Sequence, residues 1–288
     1  MSLVPQLIMN SLIAGAIYSL MALGFNLIYG TTKFFNLAHG AMAVVGGYGV
    51  YYFSKMLGWN LTSAIILGIA LAGVLGWLLD RFIFLPLRRR KATNTITLVA
   101  SLGAFTAIQA IVAILFTSQF QTLDKNTGTS KIYEVLGGII TETQVVILVS
   151  GLIIMGALVL LLKYTMFGKA VKAIGDDESV AKIIGINTDK IIAKVFLIGS
   201  AIAGWAGIMV GFDTGLEPTI GMNLLLKGII ASIIGGIGNI YGAVLGAFLL
   251  GFAENFGIWK ISSEWKDAIA FGILIIFLIF RPQGILKK

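Results

Sequence analysis

The chain contains no cysteine, one histidine and four prolines. Without cysteine it cannot be a disulfide-stapled secreted domain. With a lone imidazole, His39, it offers no ligand set for a soft metal. No Gly-x-x-x-x-Gly-Lys-Ser/Thr run occurs, so the chain carries no P-loop of its own for ATP. The nearest glycine pattern, Gly236-x-Gly238-x-x-x-Gly242, has the wrong spacing for a dinucleotide loop. Charge is scarce too. Asp, Glu, Lys and Arg make up 12% of the 288 residues, against roughly 25% in a soluble domain.

What fills the chain is apolar. Hydrophobic residues are 58% and mean hydropathy is +0.96. Stretches without Asp, Glu, Lys or Arg cover 1–32, 34–54, 56–79, 92–123, 143–162, 195–212, 228–253 and 268–280. Most reach the roughly 20 residues that a helix needs to cross about 30 Å of hydrocarbon. They do not alternate apolar with polar residues as barrel strands do, and helices satisfy their own backbone in lipid. The expected fold is an all-α polytopic membrane protein, one transmembrane domain over 1–288. Eight transmembrane helices are expected at 7–29, 36–54, 61–84, 93–118, 143–163, 191–211, 241–256 and 265–281. A ninth segment at 224–238, short or broken, ends in the Gly235-Gly236-Ile237-Gly238-Asn239 break.

Charge sets the orientation. Taking the loops around 30–35, 81–92, 163–194 and 281–288 as cytoplasmic places fifteen of the 21 Lys and Arg inside, with five of the 13 Asp and Glu. This is the positive-inside pattern, and it accounts for the net charge of +8 without nucleic acid. Loop 164–190 and the tail share a side only if an even number of crossings separates them. Segment 224–238 is therefore expected to cross, with the N-terminus outside. No basic region precedes the first span, so it is expected to remain uncleaved.

The longest outer loop, 119–142, is polar, with Asp124, Lys125, Lys131, Glu134 and Glu142. The longest inner loop, 164–190, is expected to form short helices at 167–174 and 178–184. Asp176 or Asp177 would cap the second, Gly185 would end it, and Thr188 would cap the next span. From the residues alone these helices are either a surface that another protein grips or a capped connection.

No set of residues spells a reaction. An integral membrane enzyme needs His, Asp or Glu clustered at one depth, and here Asp80, Asp213 and Glu254 sit toward span ends. No catalytic residue, metal or cofactor is expected. A proton-coupled carrier often holds a carboxylate near mid-membrane, and none stands out. Uncharged polar residues do enter the spans. Asn26, Asn36, His39, Ser101 and Gln109 are the candidate solute-path residues, with helix-to-helix bonding as the alternative, at about 1 kcal/mol or less per bond. Gly207-x-x-x-Gly211 and Gly242-x-x-x-Gly246 fit close helix contacts.

Five blocks together resemble a known family. They are Ala22-Leu23-Gly24-Phe25-Asn26-Leu27-Ile28-Tyr29-Gly30 with Asn36-Leu37-Ala38-His39-Gly40, and Leu85-Pro86-Leu87-Arg88 with Ala100-Ser101-Leu102-Gly103. The others are Gly168-Lys169-Ala170-Val171-Lys172-Ala173 with Ala181 and Gly185-Ile186-Asn187-Thr188, Gly235-Gly236-Ile237-Gly238-Asn239 with Gly242-Ala243-Val244-Leu245-Gly246, and Arg281-Pro282-Gln283-Gly284. The chain resembles the permeases of the branched-chain amino acid ABC importers, the shorter of the two permease types. Permeases for urea and short amides look similar. Ala41 stands where amino-acid members often carry an acidic residue, and Lys33 interrupts a stretch usually apolar or small.

The resemblance implies a non-catalytic permease of the bacterial inner membrane, moving leucine, isoleucine and valine by alternating access. It implies a second homologous permease subunit, two cytoplasmic ATP-binding subunits and an extracytoplasmic solute-binding protein as partners, with no nucleic acid. It also implies an ATPase-coupling role for the 164–190 loop, assigned to Gly168, Lys169, Ala170, Ala173, Asp176, Asp177, Glu178, Ala181, Gly185 and Ile186.

Overall fold

The computed structural model describes residues 3–123, 131–135 and 137–286. Asp124 and Lys125 of the expected outer loop, and Lys287 and Lys288 of the tail, fall outside them. The first part of the chain is α1 (Leu3–Thr32), α2 (His39–Tyr51) running on through a π turn (Tyr52–Met56), and α3 (Leu61–Leu79). A second π turn (Asp80–Phe84) leads from α3 into α4 (Leu85–Arg89), and α5 (Asn94–Phe116) follows. A small hairpin, β1 (Ile132–Val135) and β2 (Gly138–Thr141), precedes α6 (Glu142–Tyr164) and two short helices, α7 (Met166–Asp176) and α8 (Glu178–Ile183). The rest is α9 (Thr188–Asp213), α10 (Ile220–Gly235), α11 (Ile240–Gly257), a 3-10 turn (Ser263–Trp265) and α12 (Lys266–Phe280).

Among the described residues six helices are long and apolar enough to cross a membrane: α1, α3 with its extension to Arg89, α5, α6, α9 and α11. The expected crossings at 36–54, 224–238 and 265–281 are shorter elements, since α10 has 16 residues and α12 has 15. At 1.5 Å per residue α10 spans about 24 Å. The outer loop, read from sequence only as polar, holds the hairpin, in which Tyr133 pairs with Ile140.

Helices apolar on every side belong in the middle of a bundle or against lipid, and both kinds occur. Helices α1 and α9 are mostly enclosed, whereas α5 and α6 leave most of their surface outward. Glycines let the enclosed helices touch. Gly46 of α2 meets the backbone of Gly204 of α9, and Gly207 faces Ala43. Gly242 faces Gly235 across the α10–α11 turn, and Gly246 faces Ala231. Gly207, Gly242 and Gly246 of the two expected small-residue pairs therefore sit at helix contacts, where packing and not water expulsion holds helices together in lipid, while Gly211 packs against Leu123 and Leu216 outside the helices.

Helix α2 begins inside the bundle. His39 is fully buried, with its ring against Gly24 of α1. Gly24 lies eight residues before the end of α1, about 12 Å along the helix. Sequence placed His39 at the inner membrane boundary. Instead, Lys33 takes a left-handed conformation (φ 57°) and the chain turns back into the protein.

The basic loops gather at one end. Arg88 and Arg89 after α3 pair with Asp189 at the start of α9, at 3.6 and 2.9 Å. Arg88 also reaches Asp80, buried in the π turn, at 3.3 Å. At the opposite end Gln6 of α1 bonds Ile139 of β2 through both amide atoms, and Gln121 pairs with Leu216.

Candidate functional site

Three places carry polar or exposed chemistry. The first is the α7–α8 platform at the basic end. Thr165 starts α7, its hydroxyl accepting the Gly168 N–H at 3.1 Å. Gly168 packs against the backbone of Leu162, so a side chain there would push α7 off α6. Asp177 starts α8, accepting the N–H groups of Ser179 and Val180 at 2.7 and 3.0 Å. The helix then stops through paired turns: Gly185 N–H bonds Lys182 O, and Ile186 N–H bonds Ala181 O, both at 3.0 Å. That stop needs a left-handed residue, and Gly185 supplies it at φ 88°. Glu178 ties the unit together, pairing with Lys182 at 2.7 Å and accepting the Thr188 hydroxyl at 3.2 Å. The expected cap, Thr188, is thereby occupied, and Asn187 caps α9 through the Lys190 N–H at 3.1 Å.

The expected coupling residues divide into two groups. Gly168 and Ala181 are buried, and Ala170, Ala173, Glu178 and Ile186 are half-buried. Lys169, Asp176, Asp177 and Gly185 are exposed. Sequence reasoning missed the apolar side chains standing beside them. Met166, Val180, Ile183 and Ile184 are all exposed, Ile183 at 83%. The signal was available: large apolar residues in a loop already placed outside the spans.

The second place is a cavity of about 370 Å³ between α7 and the α10–α11 turn, lined by Asn26, Gly168, Lys172, Gly238 and Asn239 among others. Asn26 accepts the Gly238 N–H at 2.9 Å. The tail closes the same turn, with Ile285 N–H on Ile234 O at 2.9 Å and Leu286 N–H on Gly235 O at 3.0 Å. The two glycine-bearing blocks, 235–239 and 281–284, thus meet. Gly236 has φ 112° and lies under the Leu286 carbonyl, and Gly284 has φ 74° against the Gly236 backbone.

The third place is a cavity of about 340 Å³ at the opposite end, lined by Asn10, Tyr18, Gln144, Asp213, Asn223, Lys227, Asn255 and Lys266 with apolar neighbours. Its volume lies within the roughly 300–1,000 Å³ of small-molecule sites. Beside it lies a charged group whose Lys227 and Glu254 are buried. Lys227 of α10 pairs with Glu254 of α11 and, at 2.8 Å, with Asp267 of α12, while Tyr18 of α1 donates to Glu254 at 2.7 Å. Glu254 is fully buried. Sequence reasoning put Glu254 toward a span end and read 224–238 as simply apolar. An opposite charge inside each of two neighbouring apolar segments was the overlooked signal.

Of the candidate solute-path residues, only Asn26 lines one of these cavities. Asn36 and His39 are enclosed near the start of α2. Ser101 is enclosed too, accepting the Leu37 N–H at 3.0 Å and donating to Leu98 O at 2.7 Å. Gln109 is half-buried on α5. Among the described residues no three His, Asp or Glu gather as a metal site.

Known proteins resemble the chain from end to end. A family profile described as the permease component of a branched-chain amino acid transport system matches residues 7–278. The high-affinity branched-chain amino acid transport system permease protein LivH of Escherichia coli (strain K12) is 33% identical over 295 residues, covering 98% of this chain and 95% of that protein. The corresponding protein BraD of Pseudomonas aeruginosa is 31% identical with the same coverage. Among solved structures, PsaBC from Streptococcus pneumoniae in complex with Fab has a TM-score of 0.53 at 14% identity, covering 95% of this chain and 91% of that one, a likeness of fold. With apolar crossing helices and this match along nearly its whole length, the chain belongs to the family of branched-chain amino acid transport system permease components.

Proposed function

We propose that the chain is the shorter transmembrane permease subunit of a binding-protein-dependent ABC importer for leucine, isoleucine and valine, seated in the bacterial inner membrane. The observation that carries this reading is the end-to-end likeness to LivH and BraD, whose names state that substrate class. In this reading the chain makes and breaks no chemical bond. A second, homologous permease completes the path, an extracytoplasmic binding protein delivers the solute, and two cytoplasmic ATPase subunits supply the energy. The short helices α2, α10 and α12 then join the six long ones as crossings, placing the N-terminus outside and the tail inside.

The α7–α8 platform is the part that takes the ATPase stroke. It stands at the basic end, which the positive-inside rule makes cytoplasmic. Its exposed Met166, Val180, Ile183 and Ile184 offer apolar anchors, and Lys169 and Asp176 a polar rim. Fixed caps at both ends of α8 make it a rigid handle. A push on α7 passes to α6 at Gly168 and Leu162, and across the adjoining cavity to the α10–α11 turn. Alternating access needs such a rigid input to a bundle with two packings.

The test is ATP-driven uptake of labelled leucine in proteoliposomes holding the complete complex with its binding protein. Uptake that requires both ATP and binding protein, and that isoleucine and valine suppress, is the expected result. A complex that hydrolyses ATP yet moves only urea overturns the substrate class.

A further inference from the structure

We infer that the cavity at the outer end is a low-affinity binding site for a small apolar zwitterion, with Asp213 as counter-ion to its ammonium group and Lys266 to its carboxylate. This inference rests on the proposed importer function and adds where in this chain the solute is first held.

The charges in the cavity are not equivalent. Lys227 faces two carboxylates, Glu254 and Asp267, so its charge is already matched. Lys266 lines the cavity and has no ion-pair partner among the described residues. Asp213 is half-buried, ends α9, and faces no cation within ion-pair distance there. Among the described residues the side chain bonding it is Gln144, whose Nε2 donates to Asp213 Oδ1 at 3.1 Å. Gln144 is itself fixed, because its Oε1 accepts the Thr141 N–H at 3.1 Å in the capping box that starts α6. Asp213 is therefore held in place by a neutral group.

An aspartate without a cation, at the negative end of a helix, favours a positive group beside it. An unmatched lysine at the other helix start favours an anion. The same cavity is lined by apolar Ile13, Ile17, Val210 and Leu224, with Asn10 and Asn223 as neutral hydrogen-bonding groups. One unmatched anion, one unmatched cation and an aliphatic wall in about 340 Å³ suit a free amino acid with a branched aliphatic side chain. Neither urea nor a short amide would satisfy both charges.

The test is equilibrium binding of labelled leucine to the purified complete complex without its binding protein, alongside uptake with binding protein present. Wild-type complex should bind leucine weakly, and valine should displace it. 4-Methylpentanoate, lacking the ammonium, and 3-methylbutylamine, lacking the carboxylate, should not. Asp213→Asn and Lys266→Gln should each weaken binding at least about tenfold, a change of 1.4 kcal/mol. Asp213→Glu and Lys266→Arg should retain part of it, and size-exclusion chromatography would establish that every variant assembles. If assembled Asp213→Asn and Lys266→Gln bind and import leucine like wild type, the site is wrong and the importer function stands. If the wild-type complex imports no branched-chain amino acid, the importer reading and this site both fall.

Discussion

The side-chain carbonyl of Asn26 accepts the backbone N–H of Gly238 at 2.9 Å, joining the inner half of α1 to the turn between α10 and α11. An asparagine inside an apolar helix is costly unless it bonds something. Here it replaces the partner that a glycine-rich turn lacks. Asn26→Ala leaves the Gly238 N–H without its acceptor, and the expected loss is about 1–3 kcal/mol. Thermal unfolding of the purified protein in detergent would register it. An unchanged melting temperature would show that water replaces the bond.

The pairing of Lys227 with Glu254 predicts a non-additive result. Removing Lys227 strands the fully buried Glu254, whereas removing Glu254 leaves Lys227 its pair with Asp267 at 2.8 Å. Lys227→Met should cost about 3–5 kcal/mol, and Glu254→Met less. The double variant should cost less than the sum and less than the worse single change, because no unpaired buried charge remains and Asp267, itself 67% exposed, keeps its solvent. Thermal melts of the four proteins complete the cycle, and simple addition of the two losses would refute the coupling.

Much of this architecture was legible because lipid imposes one strong rule on the backbone. The charge-free stretches marked where helices run, and the basic loops marked which ends meet. Caps were legible to within one residue: of the adjacent Asp176 and Asp177 the second starts α8, and where Thr188 was expected to start α9 its neighbour Asn187 does so. Depth was not legible. His39 and Lys33 lie six residues apart in the sequence, and nothing local says that the chain re-enters the bundle between them. The Lys227–Glu254 pair was hidden for the same reason. A charge flanked by apolar residues reads as a boundary until a second helix supplies its partner.

Two glycines of similar sequence context should respond oppositely to alanine. Gly207 faces the backbone of Ala43, so a Cβ there has no room and must separate α9 from α2. Gly103 on α5 has nothing near the place its Cβ would occupy. Gly207→Ala should destabilise, since overpacking costs about 1–3 kcal/mol. Gly103→Ala should stabilise by up to about 1 kcal/mol through helix propensity alone. Melting temperatures moving in the same direction would contradict the packing.

Gly185 separates strain from volume. Its φ of 88° disfavours any side chain, yet nothing lies within 4 Å of an added Cβ. A substitution therefore acts on the turn that ends α8 and not on a neighbour. Asn tolerates the left-handed region far better than a β-branched residue does. Gly185→Asn should keep the paired bonds from Gly185 and Ile186 to α8, and Gly185→Val should break them by reorienting the chain. Both variants should insert and assemble, because the crossing helices are untouched. If the platform is the ATPase handle, Gly185→Val spends more ATP per solute imported while Gly185→Asn stays close to wild type. The measurement is the ratio of ATP hydrolysed to leucine imported in the same vesicles. An unchanged ratio in Gly185→Val would mean that the end of α8 carries no part of the stroke.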